Sequence, residues 1–164
     1  MIVISDTTPI ISLLKIDRLD LLEKLFSEVQ IPRNVFLELT DNPRFQTEAN
    51  IIRSSDFIKI VDEVDESYVT LLCRLTGIDF AEGVAIYLCD ARKADLLLMD
   101  ESLGREVAIK MGIRLMGTIG ILLLAYQELL ISKEEIKKAI MILKGSKRHI
   151  SQRLYQQLQD LIES

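Results

Sequence analysis

The sequence has only one histidine, His149, and two cysteines, Cys73 and Cys89, in 164 residues. Zinc sites of the Cys/His kind need three or four such ligands, which this chain does not supply. A Ser/His or Cys/His triad would have only His149 as its base. Because His149 lies beside Lys147 and Arg148, we expect a solvated residue between helices, and we expect both cysteines to be reduced core residues.

The chain is also poor in glycine (7), proline (3) and aromatic residues (5%, with no tryptophan), while 49% of its residues are hydrophobic. This composition excludes a disordered or fibrous chain and gives little sign of a base-stacking platform. The longest uncharged run, residues 115–127, is shorter than the roughly 20 apolar residues that cross a bilayer. No basic leader precedes Asp6, so we expect a cytoplasmic protein that does not contact membranes.

Charge divides the chain unevenly. Its net charge is −5, but residues 1–131 carry −8 and residues 132–164 carry +3. A length of 164 residues suits one compact domain. We therefore predict a domain over residues 1–131 and a basic helical extension over residues 132–164 that packs on or beside it.

Short apolar runs alternate with helical patterns along the chain. The predicted strands cover residues 2–5, 28–31, 57–61, 96–99 and 113–116. Helices are predicted between them, with Asp17 as the cap of one, Pro32 in the first turn of another, and Asp65 and Asp79 as caps of two more. Apolar strands of this length favour an α/β fold with a parallel sheet of four or five short strands and helices on both faces.

Two of the most apolar strands end in an acid. Asp6 follows residues 2–5, and Asp100 follows residues 96–99. Each acid alone is typical of a turn or a helix N-cap. In open parallel sheets, however, binding sites collect at the carboxyl ends of the strands, so the pair indicates a functional edge.

Two further acids, Glu38 and Glu82, lie within predicted helices. Glu82 stands three residues after Asp79, which is also the spacing of a capping box. If several carboxylates converge, their repulsion requires a cation, and oxygen ligands favour Mg²⁺ or Mn²⁺. Such a cation can activate water against a phosphodiester.

Several segments resemble PIN domains, and the likeness covers nearly the whole chain. They are VISDTTPII from residue 3, IPRNVFLEL from residue 31, AEGVAI from residue 81, LMDE from residue 98, GTIG from residue 117 and ISQRLY from residue 150. The subgroup that these segments resemble includes many poorly characterised prokaryotic proteins similar to VapC-type toxins. The resemblance implies a Rossmann-like three-layer α/β/α fold and a metal-dependent ribonuclease, often dimeric and often paired with an antitoxin protein.

The resemblance also implies the site residues. The family's acidic site falls on Asp6, Glu38, Glu82 and Asp100, as catalytic residues and as ligands of Mg²⁺ or Mn²⁺, with Thr7 or Thr8 beside them. Glu101 is an alternative fourth ligand. Many relatives carry Asp at position 82 and Thr at position 99, where this chain has Glu82 and Met99.

An acidic domain needs local positive charge to hold RNA. The candidates for phosphate contact are Arg105, Lys110, Arg148 and Arg153. The apolar content and the resemblance together predict a homodimer.

Two other functions are compatible with the sequence. The departures at Glu82 and Met99 favour a non-catalytic PIN-like module that binds RNA or a protein. An aspartyl-phosphate phosphatase would use Asp6 as its nucleophile, but the second Asp that such enzymes usually carry is replaced by Thr8.

Overall fold

The computed structural model describes residues 1–145 and 152–163. His149 and Arg148 lie outside these residues. The five strands are β1 (Val3–Ser5), β2 (Val29–Pro32), β3 (Ile58–Val61), β4 (Leu96–Leu98) and β5 (Leu115–Met116). The ten helices of this part of the chain are α1 (Thr7–Lys15), α2 (Asp20–Phe26), α3 (Arg33–Thr40), α4 (Gln46–Ser54), α5 (Glu66–Thr76), α6 (Phe80–Arg92), α7 (Ser102–Lys110), α8 (Thr118–Gln127), α9 (Lys133–Lys144) and α10 (Gln152–Glu163), and a single 3-10 turn covers Pro43–Phe45.

The strands form one parallel sheet in the order β3-β2-β1-β4-β5. β1 pairs with β2 on one side and with β4 on the other, with Ile4 opposite both Gln30 and Leu97. The chain therefore reverses its direction of winding between β1 and β4. In such sheets the crevice at this reversal, beyond the carboxyl ends of the strands, is the usual binding site.

Alternation along β1 and β4 builds two hydrophobic layers. Val3 and Leu98 face a cluster formed with α1, α2, α3, α8, α9 and α10. Ile4 and Leu97 face the opposite cluster, formed with α5, α6 and α7. Because successive strand side chains point to opposite faces, this pattern gives the predicted three-layer α/β/α architecture.

The C-terminal helices pack on the first of these layers. α9 and α10 contribute fully buried apolar side chains, including Ile136, Leu143 and Leu158. Arg18 adds polar links, because its guanidinium donates to the carboxylate of Glu135 on α9 and to the carbonyl oxygen of Leu130. α9 and α10 thus share the hydrophobic cluster that covers this face of the sheet.

Three local predictions are wrong. Asp17 does not cap α2, since it has a left-handed backbone (φ 57°) and the helix begins at Asp20 after Leu19. Pro32 ends β2 and precedes α3 rather than lying in its first turn. Cys73 is only partly buried, although both cysteines are free and Cys89 is in the core. Asp17 lies in the turn that ends α1, where the Arg18 backbone N–H donates to the carbonyl oxygen of Leu13 (2.8 Å), and Pro32 pairs with Val61 of β3.

Within the described residues, no helix combines the length and the apolar character that a membrane crossing requires.

Candidate metal and nuclease site

Asp6 lies where β1 ends and α1 begins. Its backbone N–H donates to the carbonyl oxygen of Leu98 (2.9 Å), which joins the ends of β1 and β4. The side chain is only 7% exposed. Burial raises the pKa of Asp6 to about 6, a hydrogen bond from the Thr7 backbone opposes this rise, and three nearby acids, Glu38, Asp79 and Asp100, add to it. The structure therefore places Asp6 in an acidic, poorly hydrated position.

Asp100 follows β4 and is held by the first residue of α8. Its Oδ1 accepts a hydrogen bond from the backbone N–H of Thr118 (2.7 Å), and its Oδ2 accepts one from the Thr118 hydroxyl (2.6 Å). Thr118 is fully buried. A carboxylate at a helix N-terminus is favoured by the unpaired N–H groups there, so Asp100 also caps α8.

Glu38 reaches the same edge from α3. Its Oε2 accepts a hydrogen bond from the hydroxyl of Thr7 (2.7 Å), and its negative charge raises the pKa of Asp6. Thr7 thus positions the Glu38 carboxylate next to the end of β1. Thr8 is the next residue of α1 and is partly buried.

Glu82 lies in the first turn of α6, after its cap Asp79. The Asp79 carboxylate accepts a hydrogen bond from the Glu82 backbone N–H (2.8 Å), as the sequence predicts. The Glu82 side chain is only 9% exposed, and its Oε2 is buried without a hydrogen-bond partner among the described residues. Capping therefore accounts for the carboxylate of Asp79 and leaves that of Glu82 unexplained.

Burial also raises the pKa of Glu82, to about 8. The neighbouring side chain of Asp79 adds to this shift, and the charges of Glu101 and Asp6 follow. Glu101 is an exposed residue before α7. Electrostatic interactions thus connect Glu82 to the same group of acids as Asp6.

Asp79 is a further member of this acidic group that the sequence pattern alone does not indicate. Its charge acts on both Asp6 and Glu82. Only its position is signalled by the sequence, because a residue that caps α6 lies at the same helix end as Glu82. Asp79 thus acts through its charge in addition to its predicted capping role.

Carboxylate oxygens are ligands that Mg²⁺ and Mn²⁺ prefer. The buried, unpartnered Glu82 oxygen and the mutual repulsion around Asp6 fit a cation in this position. Within residues 1–145 and 152–163, however, no three His, Cys, Asp or Glu side chains form a group that could hold a metal ion. The four-carboxylate ligand set stays a prediction.

Two glycines allow α7 and α8 to approach these acids closely. A Cβ atom at Gly117 would lie 2.6 Å from Oδ1 of Asp100 and 3.2 Å from an Nη atom of Arg105. A Cβ atom at Gly104 would lie 2.6 Å from Sδ of Met99 and 3.1 Å from Oε2 of Glu82. The close approach therefore requires glycine at positions 104 and 117, because any larger residue would displace a neighbouring side chain.

The predicted phosphate contacts differ in their burial. Arg105 is half-buried, and one of its Nη atoms donates to the carbonyl oxygen of Met99 (2.8 Å). This anchor keeps a positive charge beside Asp100. Lys110 ends α7 and Arg153 lies on α10, and both are exposed.

The fold and the site define a class: a Rossmann-like α/β domain with acids at the carboxyl edge of its parallel sheet. The DUF3368 family model, described as a PIN domain, matches residues 2–164, so the chain belongs to the PIN-domain family. PIN domains are generally nucleases and generally metal-dependent, and this chain has their fold. Comparison with curated proteins and with solved structures gave no match.

Proposed function

We propose that the protein is an endoribonuclease that uses Mg²⁺ or Mn²⁺ to cleave RNA phosphodiesters. The observation that carries the proposal is the buried Oε2 of Glu82, which has no hydrogen-bond partner in the described chain. A buried carboxylate oxygen without a hydrogen-bond partner costs free energy. A cation bound at this oxygen would offset that cost and would explain why Glu82 is buried here. The family's general nuclease activity supports the same conclusion.

The residues that would hold the cation are Asp6, Glu38, Glu82 and Asp100, with Glu101 as the alternative fourth ligand. When bound, the cation would neutralise the carboxylates and supply an activated water for attack on phosphorus. Thr7 positions Glu38 and Thr118 positions Asp100 through the hydrogen bonds described above. Arg105 would offer its remaining N–H groups to a phosphate oxygen.

The resemblance to VapC-type proteins extends the proposal to a biological role. In that role the protein would be a toxin that acts on RNA as a homodimer and is countered by an antitoxin protein. We call the sheet edge that carries Asp6, Glu38, Glu82 and Asp100 the acidic edge. This edge and the exposed apolar side chains nearby, such as Phe80 and Leu103, would suit a partner protein.

The test is cleavage of single-stranded RNA with Mn²⁺ by the parent protein and by Asp6→Asn. We expect the rate to fall more than about 100-fold while the circular dichroism spectrum is unchanged, because the substitution removes charge without changing volume. Asp56→Asn is the matched control, since Asp56 is exposed and precedes β3, whereas Asp6 and Asp100 follow the opposite, carboxyl ends of their strands. An Asp6→Asn variant that cleaves at the parent rate contradicts the proposal.

A second candidate is a non-catalytic module that binds RNA or a protein. Met99 favours it, because this fully buried side chain supplies no hydroxyl at the end of β4, where many relatives have Thr. An RNA-binding measurement beside the cleavage assay separates the two functions: a parent protein that binds RNA but leaves it intact with Mn²⁺ is a binding module.

A further inference from the structure

A pocket of about 380 Å³ opens beside the acidic edge. It lies between α1, α3, the turn Pro43–Phe45 and α4. Glu38 is part of its wall and also accepts the Thr7 hydrogen bond at the end of β1. One side chain therefore belongs both to the pocket and to the proposed nuclease site.

The pocket has an apolar wall suited to a flat ring. Ile11 and Leu14 contribute aliphatic groups from α1, and Phe45 contributes an aromatic ring from the turn. Phe45 is 51% exposed, although its side chain is large and apolar. A ligand ring stacked on Phe45 would remove this surface from water.

Polar groups lie around the same wall. The Oδ1 atom of Asn42 accepts a hydrogen bond from the Arg44 backbone N–H (3.0 Å), which leaves the amide NH₂ as the available end of the side chain. Glu48 contributes a carboxylate acceptor. Lys15 contributes an ammonium group that forms no ion pair within the described residues.

We propose that this pocket binds an unpaired nucleobase of the RNA, next to the phosphate that lies at the acidic edge. The inference rests on the proposed function and names the part of the substrate that this surface recognises. Unpaired bases are recognised by stacking on aromatic side chains and by hydrogen bonds along their edges.

The chemistry of the wall favours a base over a purely apolar occupant. A base stacked between Phe45 and the aliphatic side chains can accept from Asn42 and donate to Glu48. Lys15 can contact a neighbouring phosphate. The volume lies within the range of small-ligand sites and leaves room for a ribose beside the ring. Because Glu38 also accepts the Thr7 hydrogen bond at the end of β1, a base in this pocket would lie close to Asp6.

The experiment measures binding of a short, fluorescently labelled single-stranded RNA to the full-length Asp6→Asn variant, in which the RNA stays intact. Adding Phe45→Ala should weaken binding about tenfold, the usual scale for loss of one base–aromatic stack. Phe45→Tyr should retain binding because it keeps the ring. Met141→Ala, another change at an exposed apolar side chain, should leave binding unchanged.

Competition identifies the occupant. Unlabelled nucleoside monophosphates should displace the labelled RNA, and Phe45→Ala should reduce their effect. The inference is overturned if the Asp6→Asn protein does not bind the RNA, if Phe45→Ala binds it as tightly as the starting variant, or if the monophosphates do not compete. The last result would indicate a different occupant, such as an apolar peptide side chain.

Failure of the base-pocket inference can be distinguished from failure of the nuclease proposal. If the parent protein cleaves RNA but Phe45→Ala changes neither binding nor cleavage, the base pocket is wrong and the nuclease proposal stands. If RNA binding depends on Phe45 but Mn²⁺ supports no cleavage, the pocket stands and the nuclease proposal is wrong.

Discussion

Asp100 and Thr118 form a two-point contact across the sheet edge. The backbone N–H and the hydroxyl of Thr118 each donate to a different oxygen of the Asp100 carboxylate, at 2.7 and 2.6 Å. Two hydrogen bonds fix both the position and the rotation of the carboxylate. The orientation of Asp100 is thus set by α8 rather than by β4 alone.

Thr118→Val should lower the free energy of unfolding by about 1 to 3 kcal/mol. The substitution keeps the side-chain shape but removes the hydroxyl donor to a carboxylate, at a fully buried position that water does not reach. Urea denaturation measures the effect. Thr118→Ser keeps the hydroxyl and should unfold nearer the parent. Equal stability of the Val variant and the parent would show that the hydroxyl bond contributes nothing measurable.

Glu82→Gln should make stability less dependent on pH. Because the pKa of Glu82 is about 8 in the folded protein against an ordinary 4.5, the folded state favours its protonated form. That stabilisation is fully present below pH 4.5 and is lost as pH rises through about 8. The parent without divalent cations should therefore lose more unfolding free energy than Glu82→Gln between pH 6 and pH 8.

Urea denaturation at several pH values in the presence of a chelator provides this measurement. The folded state also favours the protonated form of Asp6. Because the pKa of Asp6 is about 6, most of its effect on the free energy of unfolding falls at lower pH. Glu128→Gln, at an exposed position after α8, should follow the parent curve. Parallel curves for the parent and Glu82→Gln would contradict the assigned pKa.

Gly117→Ala should destabilise the fold by about 1 to 3 kcal/mol and weaken Mn²⁺ binding. The new methyl group would lie 2.6 Å from Oδ1 of Asp100, so the carboxylate or α8 must move. Gly145→Ala is the matched control, since its methyl would meet the carbonyl oxygens of Met141 and Ile142 at an ordinary 3.6 Å. Thermal unfolding and a Mn²⁺ titration measure both effects. A Gly117→Ala variant with parental values in both would show that the edge tolerates the methyl group.

The homodimer prediction leads to a mass measurement. Light scattering at micromolar concentration should give about twice the chain mass of 18.7 kDa. Leu71 and Leu75 on α5 are 58% and 75% exposed, and we expect this face to be covered in the dimer. Leu75→Lys should then shift the protein toward monomer, whereas Met141→Lys on α9 should not. If Met141→Lys dissociates the dimer and Leu75→Lys does not, the interface lies on the C-terminal helices instead.

Much of the fold could be predicted from local sequence. The apolar runs that contain Val3–Ser5 and Leu96–Leu98 are strands, and the caps Asp65 and Asp79 accept the predicted backbone hydrogen bonds. Local pattern is sufficient here because burial on both faces of a parallel strand requires a continuous apolar run. It failed at Asp17, which has a left-handed backbone in the turn that ends α1, where the Arg18 backbone N–H donates to the carbonyl oxygen of Leu13 (2.8 Å).

The acidic edge was predictable only in part. Asp6 and Asp100 could be paired because parallel strands end at the same edge of a sheet. The burial of Arg105 and its hydrogen bond to the carbonyl oxygen of Met99 could not be predicted, because they depend on how α7 turns back over β4. The pocket at Phe45 was equally hidden, because residues from four separate elements meet there.

The strand order has a consequence for how the chain folds. The backbone N–H of Ile2, just before β1, donates to the side chain of Asp95, just before β4, across a separation of 93 residues. β1 lies in the middle of the sheet, so its second edge stays unpaired until β4 arrives. Contacts this distant in sequence slow folding, and an open apolar strand invites association with other chains. We expect refolding at high protein concentration to lose material to aggregation before the two halves of the sheet join.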